Sequence, residues 1–167
     1  MNKTSETPPG ALPDKPILVR AGTAPAASLS PTDTTWFLFA GIEGQPEVFV
    51  NHGGRGDGTP LHRHPWASWE LVLEGRVRFA VNDQVIVAEA GDFVYTPPDA
   101  AHAYVIESAQ ARMVGFNHPA RRFAELQKKG EALFRAPGGP DMPRLMQLAK
   151  EHDIEILGPP LTAAETA

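Results

Sequence analysis

The sequence predicts an all-β sandwich or barrel that is followed by a short helical segment. Short runs of β-type residues recur between turn residues, and no helical pattern separates them before Pro119. The chain is also rich in turn-forming residues, with 17 prolines and 15 glycines among its 167 residues. At this length, one folded domain is the expected number.

The predicted strands fall between residues 16 and 119, which we assign to the barrel. Residues 77–81 give the clearest pattern, because apolar side chains take every second position, as in a half-buried strand. The Asn82-Asp83 pair then predicts a tight hairpin turn. The predicted strands cover residues 17–20, 36–40, 48–51, 71–73, 77–81, 85–88, 93–96, 103–106 and 112–116.

The two ends of the chain differ from this β-rich middle. Residues 1–15 are polar and proline-rich, which predicts a flexible tail. Residues 120–167 are expected to form helices and a tail, with helices over 121–130 and 142–152. Gly130 is the predicted stop of the first helix, and His152 is expected on the surface of the second.

Composition and charge exclude several classes of function. A net charge of -5 argues against nucleic-acid binding, which needs a basic surface. The chain has no cysteine, so that nitrogen and oxygen atoms must hold any metal. No run approaches the roughly 18 apolar residues of a membrane helix, and residues 1–15 hold no apolar stretch like that of a signal peptide. We therefore expect a cytoplasmic protein without a membrane partner.

Three histidines are the candidate metal ligands. His62 and His64 are one residue apart, and on a β-strand such side chains share a face and can bind one ion. His102 lies on a distant predicted strand, which a closed barrel would bring to the same place. Imidazole ligands suit zinc, copper, iron and nickel.

Two segments around these histidines resemble the two motifs of the cupin family. Residues 56–75 resemble the first, which runs Gly, five residues, His-x-His, three or four residues, Glu, six residues and Gly; residues 91–106 resemble the second, which contains a proline turn and a histidine. This chain departs from the motifs at three positions. Ser68 stands where the family has its glutamate, Asp99 where it has a glycine, and Ile106 where it has an asparagine.

The resemblance implies a double-stranded β-helix, or jelly-roll, barrel with one divalent metal held by His62, His64 and His102. Within the family, the chain is similar to single-domain members of the quercetin 2,3-dioxygenase-like group. Residues 62–66, residues 71–75 and the terminal residues 145–160 carry that similarity. Iron(II) is our first choice of metal, while nickel, manganese, cobalt and zinc remain open.

Glu70 is the carboxylate nearest to the position that Ser68 occupies. Two residues apart on a strand, the two side chains share a face, so that Glu70 is expected to point into the barrel. It is our candidate catalytic base, either at the metal or behind its ligands. The plainer alternative is an inward residue that pairs with Arg76 or Arg78.

The expected substrate is a small molecule bound in an apolar pocket of the barrel. Its candidate lining residues, which also serve as barrel filling, are Trp66, Ser68, Phe79, Tyr95, Tyr104 and Phe116. The leading hypothesis is a dioxygenase that acts on an enolisable or aromatic compound, flavonol-like or diketone-like. The alternatives are a non-redox isomerase, lyase or cyclase, and a small-molecule-binding cupin without catalysis. Apolar strands at the barrel edges make a homodimer the expected assembly.

Overall fold

The computed structural model describes residues 15–20, 22–41 and 44–164, and shows mainly β-structure. The predicted flexible tail, apart from residue 15, lies outside the described residues. Two antiparallel sheets make up the fold, which confirms the all-β jelly-roll prediction.

The first sheet has six strands in the order β1-β2-β3-β10-β5-β8. Its strands are β1 (Ala26–Ala27), β2 (Thr34–Ala40), β3 (Glu47–Gly54), β5 (Ala67–Glu74), β8 (Phe93–Thr96) and β10 (Gln110–His118). The second sheet has five strands in the order β11-β4-β9-β6-β7. Its strands are β4 (Pro60–Arg63), β6 (Arg76–Val81), β7 (Gln84–Glu89), β9 (His102–Ile106) and β11 (Glu155–Pro160).

Alternating side chains from both sheets meet in one apolar core. Val72 and Met113 enter it from the first sheet, and Val77 and Phe79 enter it from the second. On β6, residues 77, 79 and 81 are buried as the sequence pattern predicts. The predicted turn at Asn82 is also present, with that residue in the left-handed conformation at φ 51°.

The two predicted helices are present, with shifted boundaries. Helix α1 (Phe123–Phe134) runs past Gly130, which is buried inside it rather than ending it. A Cβ atom at this glycine would lie 3.2 Å from Leu29 Cδ2, so that close packing accounts for the residue. Helix α2 (Met142–Glu151) begins where Asp141 accepts a hydrogen bond from the backbone N–H of Arg144.

Both chain ends differ from the sequence prediction. Residues 17–20, predicted as a strand, form none, and their apolar side chains are exposed. β11, which the sequence analysis treated as tail, pairs with β4 and extends the second sheet. Both errors arise from tertiary context, because pairing with a distant strand decides whether a short apolar run becomes part of a sheet. No helix among the described residues is long and apolar enough to span a membrane.

Candidate metal centre

The three predicted ligands come from two neighbouring strands of the second sheet and the turn beside them. His62 lies in β4 and pairs directly with His102, the first residue of β9. His64 follows the end of β4 by one residue and is 5% exposed. The backbone carbonyl of His64 accepts a hydrogen bond from Asp99 N–H at 2.8 Å, which ties this turn to the β8–β9 loop.

The three imidazole rings converge on one point. One ring nitrogen from each of His62, His64 and His102 lies within 4.8 Å of the others, a spacing at which a single ion can be bound by all three. The ring centroids are 4.2 to 5.5 Å apart. The Glu70 carboxylate does not belong to this group of ligand atoms, so it is not placed as a fourth ligand.

Backbone carbonyls fix the protonation of each ring. Because a carbonyl oxygen only accepts, each Nδ1 must carry the proton and donate it, which leaves Nε2 as the free ligand atom. The acceptors are Pro60 O for His62 at 2.8 Å, Trp66 O for His64 at 3.0 Å and Ala100 O for His102 at 2.9 Å. Three oriented Nε2 lone pairs fit a divalent transition metal.

Burial also keeps the three rings neutral. It lowers the pKa of His62 to about 4 and that of His64 to about 3, and the neighbouring His102 adds to both shifts. Burial likewise lowers the pKa of His102. A neutral imidazole is the form that binds metal, so that the triad is ready to bind at neutral pH.

Glu70 lies on the inner face of the first sheet, opposite Gly115 of β10 and Val94 of β8. Burial raises the pKa of Glu70 to about 8, and no hydrogen bond offsets the rise. Its Oε2 atom is buried without a hydrogen-bond partner in the described part of the chain. The carboxyl group is therefore mostly protonated at neutral pH.

The predicted pairing of Glu70 with Arg76 or Arg78 is wrong. Both arginines bind Glu107 instead, through Nε atoms 3.6 Å and 2.6 Å from its carboxylate oxygens. On β6, Arg78 lies between buried Val77 and Phe79, so that the alternation of the strand turns it away from the core.

Ser68 belongs to a buried polar row that crosses three neighbouring strands. Its Oγ donates a hydrogen bond to Asn117 Oδ1 at 2.8 Å, and the Asn117 side chain in turn hydrogen-bonds Glu47. Glu47 Oε1 also accepts from the backbone N–H of Phe123 at 2.7 Å, at the start of α1. Burial raises the pKa of Glu47, and these donors lower it in part.

The sequence pattern did not identify Glu47 and Asn117 as inner residues. Their positions on alternating strands were the available signal, but inward polar residues contradict the apolar pattern by which a strand face is recognised. His152 was also misplaced: it is 3% exposed, and its Nδ1 donates to Leu148 O at 3.0 Å.

The candidate pocket residues divide into an inner and an outer set. Phe79 and Tyr104 face each other across β6 and β9 inside the barrel, with ring centroids 5.9 Å apart. Tyr95 and Phe116 are instead on the outer face of the first sheet, where both pair with Trp69. For these two the pocket prediction is wrong, because their strand neighbours take the inward positions.

Trp66 is buried and lies against the triad. Its indole stacks on the His64 ring, with centroids 4.0 Å apart and an angle of 1° between the planes. His62 and His102 are only partly buried, whereas His64 is buried. Two grooves that the structure shows lie on the outside of the first sheet, and no triad histidine lines them.

Comparison with known proteins links this geometry to one fold family. A profile of the family described as Cupin domain matches residues 44–116. Quercetin 2,3-dioxygenase from Bacillus subtilis (strain 168) is 30% identical over 71 residues, which are 42% of this chain and 21% of that enzyme. The matched stretch thus spans about a fifth of the length of this relative.

Solved structures show the same fold at low sequence identity. An RmlC-like cupin from Shewanella frigidimarina superposes with a TM-score of 0.57 at 19% identity, covering 64% of this chain and 94% of that one. KdgF from Halomonas sp. superposes with a TM-score of 0.52 at 14% identity, covering 58% of this chain and 89% of that one.

Proposed function

Since this chain belongs to the cupin superfamily and has a single barrel, we propose that it is a metal-dependent dioxygenase. The proposed substrate is a small enolisable or aromatic molecule, flavonol-like or diketone-like. The observation that carries the proposal is the set of three neutral histidines whose free Nε2 atoms converge without a carboxylate among them.

This ligand set supports a divalent metal with open positions. Iron(II) is the first choice, and nickel, manganese, cobalt or zinc could occupy the same ligands. When bound, the metal supplies a Lewis acid and coordination positions for substrate and O₂. Because His62, His64 and His102 are neutral, they leave the full charge of the ion to attract an anionic oxygen such as that of an enolate.

Glu70 supplies the group that moves a proton. Glu70 points to the inside of the barrel, and its Oε2 atom has no hydrogen-bond partner in the described part of the chain. Both features support a role as base toward the acidic hydrogen of an enolisable substrate. Its pKa of about 8 means that the ionised form, which accepts the proton, grows as the pH rises toward that value. Ser68 cannot take this role, because its hydroxyl is not a base at neutral pH and already donates to Asn117.

The named relative adds support for oxygenase chemistry. The Bacillus subtilis protein is a quercetin 2,3-dioxygenase, and its similarity to this chain covers 42% of the chain. The activity and the substrate of this chain are nevertheless part of the proposal, because the match covers only 21% of the enzyme.

Oxygen uptake tests the proposal directly. The protein would be loaded anaerobically with iron(II), nickel, manganese or cobalt, and then exposed to O₂ with a panel of flavonols and 1,3-diketones. We expect uptake of O₂ that depends on both metal and substrate, and that rises with pH toward about 8. Glu70→Gln should bind metal but lose most of this turnover. Uptake that never exceeds the rate with metal-free protein would contradict the proposal.

One observation favours a second candidate. A protonated, unpartnered carboxyl group such as that of Glu70 can act as acid or base in an isomerase, lyase or cyclase without O₂. Product formation under strict anaerobiosis would identify this chemistry, whereas a dioxygenase requires O₂ in stoichiometric amounts.

A further inference from the structure

Trp66 is a buried aromatic residue beside the metal centre. It lies in the short connection between β4 and β5 and is only 3% exposed.

Two contacts hold Trp66 against one of the metal-ligating histidines. Its indole stacks on His64 with parallel planes and a centroid distance of 4.0 Å. Its carbonyl oxygen accepts the Nδ1–H of the same histidine at 3.0 Å. The tryptophan and the ligand thus form one rigid unit at the edge of the metal centre.

The indole Nε1–H has no hydrogen-bond partner in the described chain. This group can only donate, and burying a donor without an acceptor is unfavourable. A bound ligand with an acceptor atom would remove that penalty. Buried and unpaired next to the triad, Nε1–H is the kind of donor that a binding site presents to its ligand.

We propose that Trp66 is a ligand-binding residue, whose Nε1–H donates to an anionic ligand held at His62, His64 and His102. The chemical class is an enolate or carboxylate, whose negative charge strengthens the hydrogen bond. Trp66 thereby selects anions over neutral ligands. The inference rests on the metal site of the proposed function, but not on its reaction with O₂.

The composition of the site agrees with this selection. Among the described residues, no carboxylate belongs to the group of ligand atoms that His62, His64 and His102 form. No carboxylate of that group therefore opposes an incoming anion.

The test compares two tryptophan-to-phenylalanine variants in cobalt(II)-loaded protein under anaerobic conditions. Trp66→Phe keeps a ring for the stack and removes the N–H. Trp69→Phe makes the same change on the outer face, where Trp69 contacts Tyr95. Formate is the anionic probe and imidazole the neutral one, with binding followed by the cobalt absorption bands. We expect Trp66→Phe to weaken formate binding about tenfold or more, since a hydrogen bond to a charged group has at least that effect. The affinity of Trp66→Phe for imidazole should equal that of the wild type. Trp69→Phe should bind both formate and imidazole as the wild type does.

Two results would overturn the proposal. One is unchanged formate affinity in Trp66→Phe, or no formate binding to the wild type. The other is an equal loss for formate and imidazole, which would mean that the indole only supports His64. Neither result depends on turnover, so a failure of the dioxygenase proposal in the oxygen-uptake assay would be seen separately.

A second measurement keeps the test valid if Trp66→Phe does not fold. The chain has 3 tryptophans, so ¹⁵N-labelled, zinc-loaded wild type gives a readable set of indole N–H signals. We expect formate to shift one signal downfield and to slow its hydrogen exchange, while the other signals stay in place. An indole spectrum that formate leaves unchanged would contradict the proposal.

Discussion

The inner and outer faces of the first sheet carry opposite exceptions to the usual distribution of residues. On β5, the inner positions hold Ser68 and Glu70, both polar, whereas the intervening outer position holds Trp69. On β8, the outer positions hold Phe93 and Tyr95, which are 59% and 49% exposed. Polar groups are thus inside and aromatic groups outside in one part of a sheet that elsewhere contributes Val72 and Met113 to the apolar core.

This difference identifies two groups of residues whose placement does not stabilise the fold. A buried carboxyl group without a partner is unfavourable for stability, and so is an exposed aromatic side chain. Departures of this kind are concentrated at functional sites in natural proteins. The inner exception is the unpartnered carboxyl group of Glu70, and the outer one is the exposed pair of Phe93 and Tyr95.

The largest expected effect is on the metal centre, which the histidines of the second sheet and the turn beside it form. His62→Ala should lower metal affinity by more than about 100-fold, because loss of an outer-shell partner alone costs 10- to 100-fold. His64→Ala should do the same. The measurement is the metal content after dialysis against a competing chelator.

The outer face provides the control for this first prediction. Tyr95→Ala removes a large side chain from β8 but touches no ring of the triad, so its metal content should equal that of the wild type. If the His62→Ala protein kept its full metal content, the assignment of the metal centre would be wrong.

The second prediction concerns stability and pH, and follows from Glu70. Its pKa is about 8 in the folded protein against an ordinary value of 4.5. Between these values the unfolded chain releases a proton that the folded protein retains, so stability falls as the pH rises. This loss of stability is absent below pH 4.5 and reaches its full size above pH 8. Glu70→Gln removes it, and metal-free variant protein should therefore gain stability on the order of 4 kcal/mol at pH 9.

Urea unfolding at pH 5 and pH 9 measures this difference. Val72→Ala is the control on the same face of β5, because this apolar side chain lies in the core, makes no hydrogen bond and should change stability equally at both pH values. An advantage of Glu70→Gln that is the same at pH 5 and pH 9 would show that Glu70 keeps an ordinary pKa.

The sequence allowed the fold and the triad to be predicted, because both depend on local patterns. Residues 77–81 alternate, and the His-x-His spacing brings both rings to one centre although His64 lies one residue beyond β4. The inner position of Glu70 followed from the same rule. The raised pKa of Glu70 did not follow, because it depends on burial without a partner, and the sequence left Arg76 and Arg78 open as partners.

The remaining errors concern contacts between distant segments. Tyr95 and Phe116 were expected in the pocket because they are aromatic, but register decides the face, and their neighbours Thr96 and Asn117 take the inner positions. β11 was missed because its strand character depends on pairing with β4, more than 90 residues earlier, as in the Arg63–Glu155 contact with its sequence separation of 92. A local pattern contains no information on such pairing.

The smallest expected effect on the metal centre comes from the outer aromatic face. The homodimer expected from the sequence stays a prediction, and Phe93 and Tyr95 now give it a testable surface, because exposed apolar patches of this kind mark protein contacts. Replacing both with serine should convert a dimer into a monomer in sedimentation velocity and leave the metal content unchanged, since neither side chain reaches the inner face. A standard interface buries about 800 Å² per partner, so removal of two central aromatic side chains should be sufficient to break it. If the wild type sediments as a monomer, the outer face serves another partner or none, whereas the inner predictions are unaffected. The two faces of β5 and β8 would then be independent in function, because alternate side chains of the same strands point to opposite sides of the sheet.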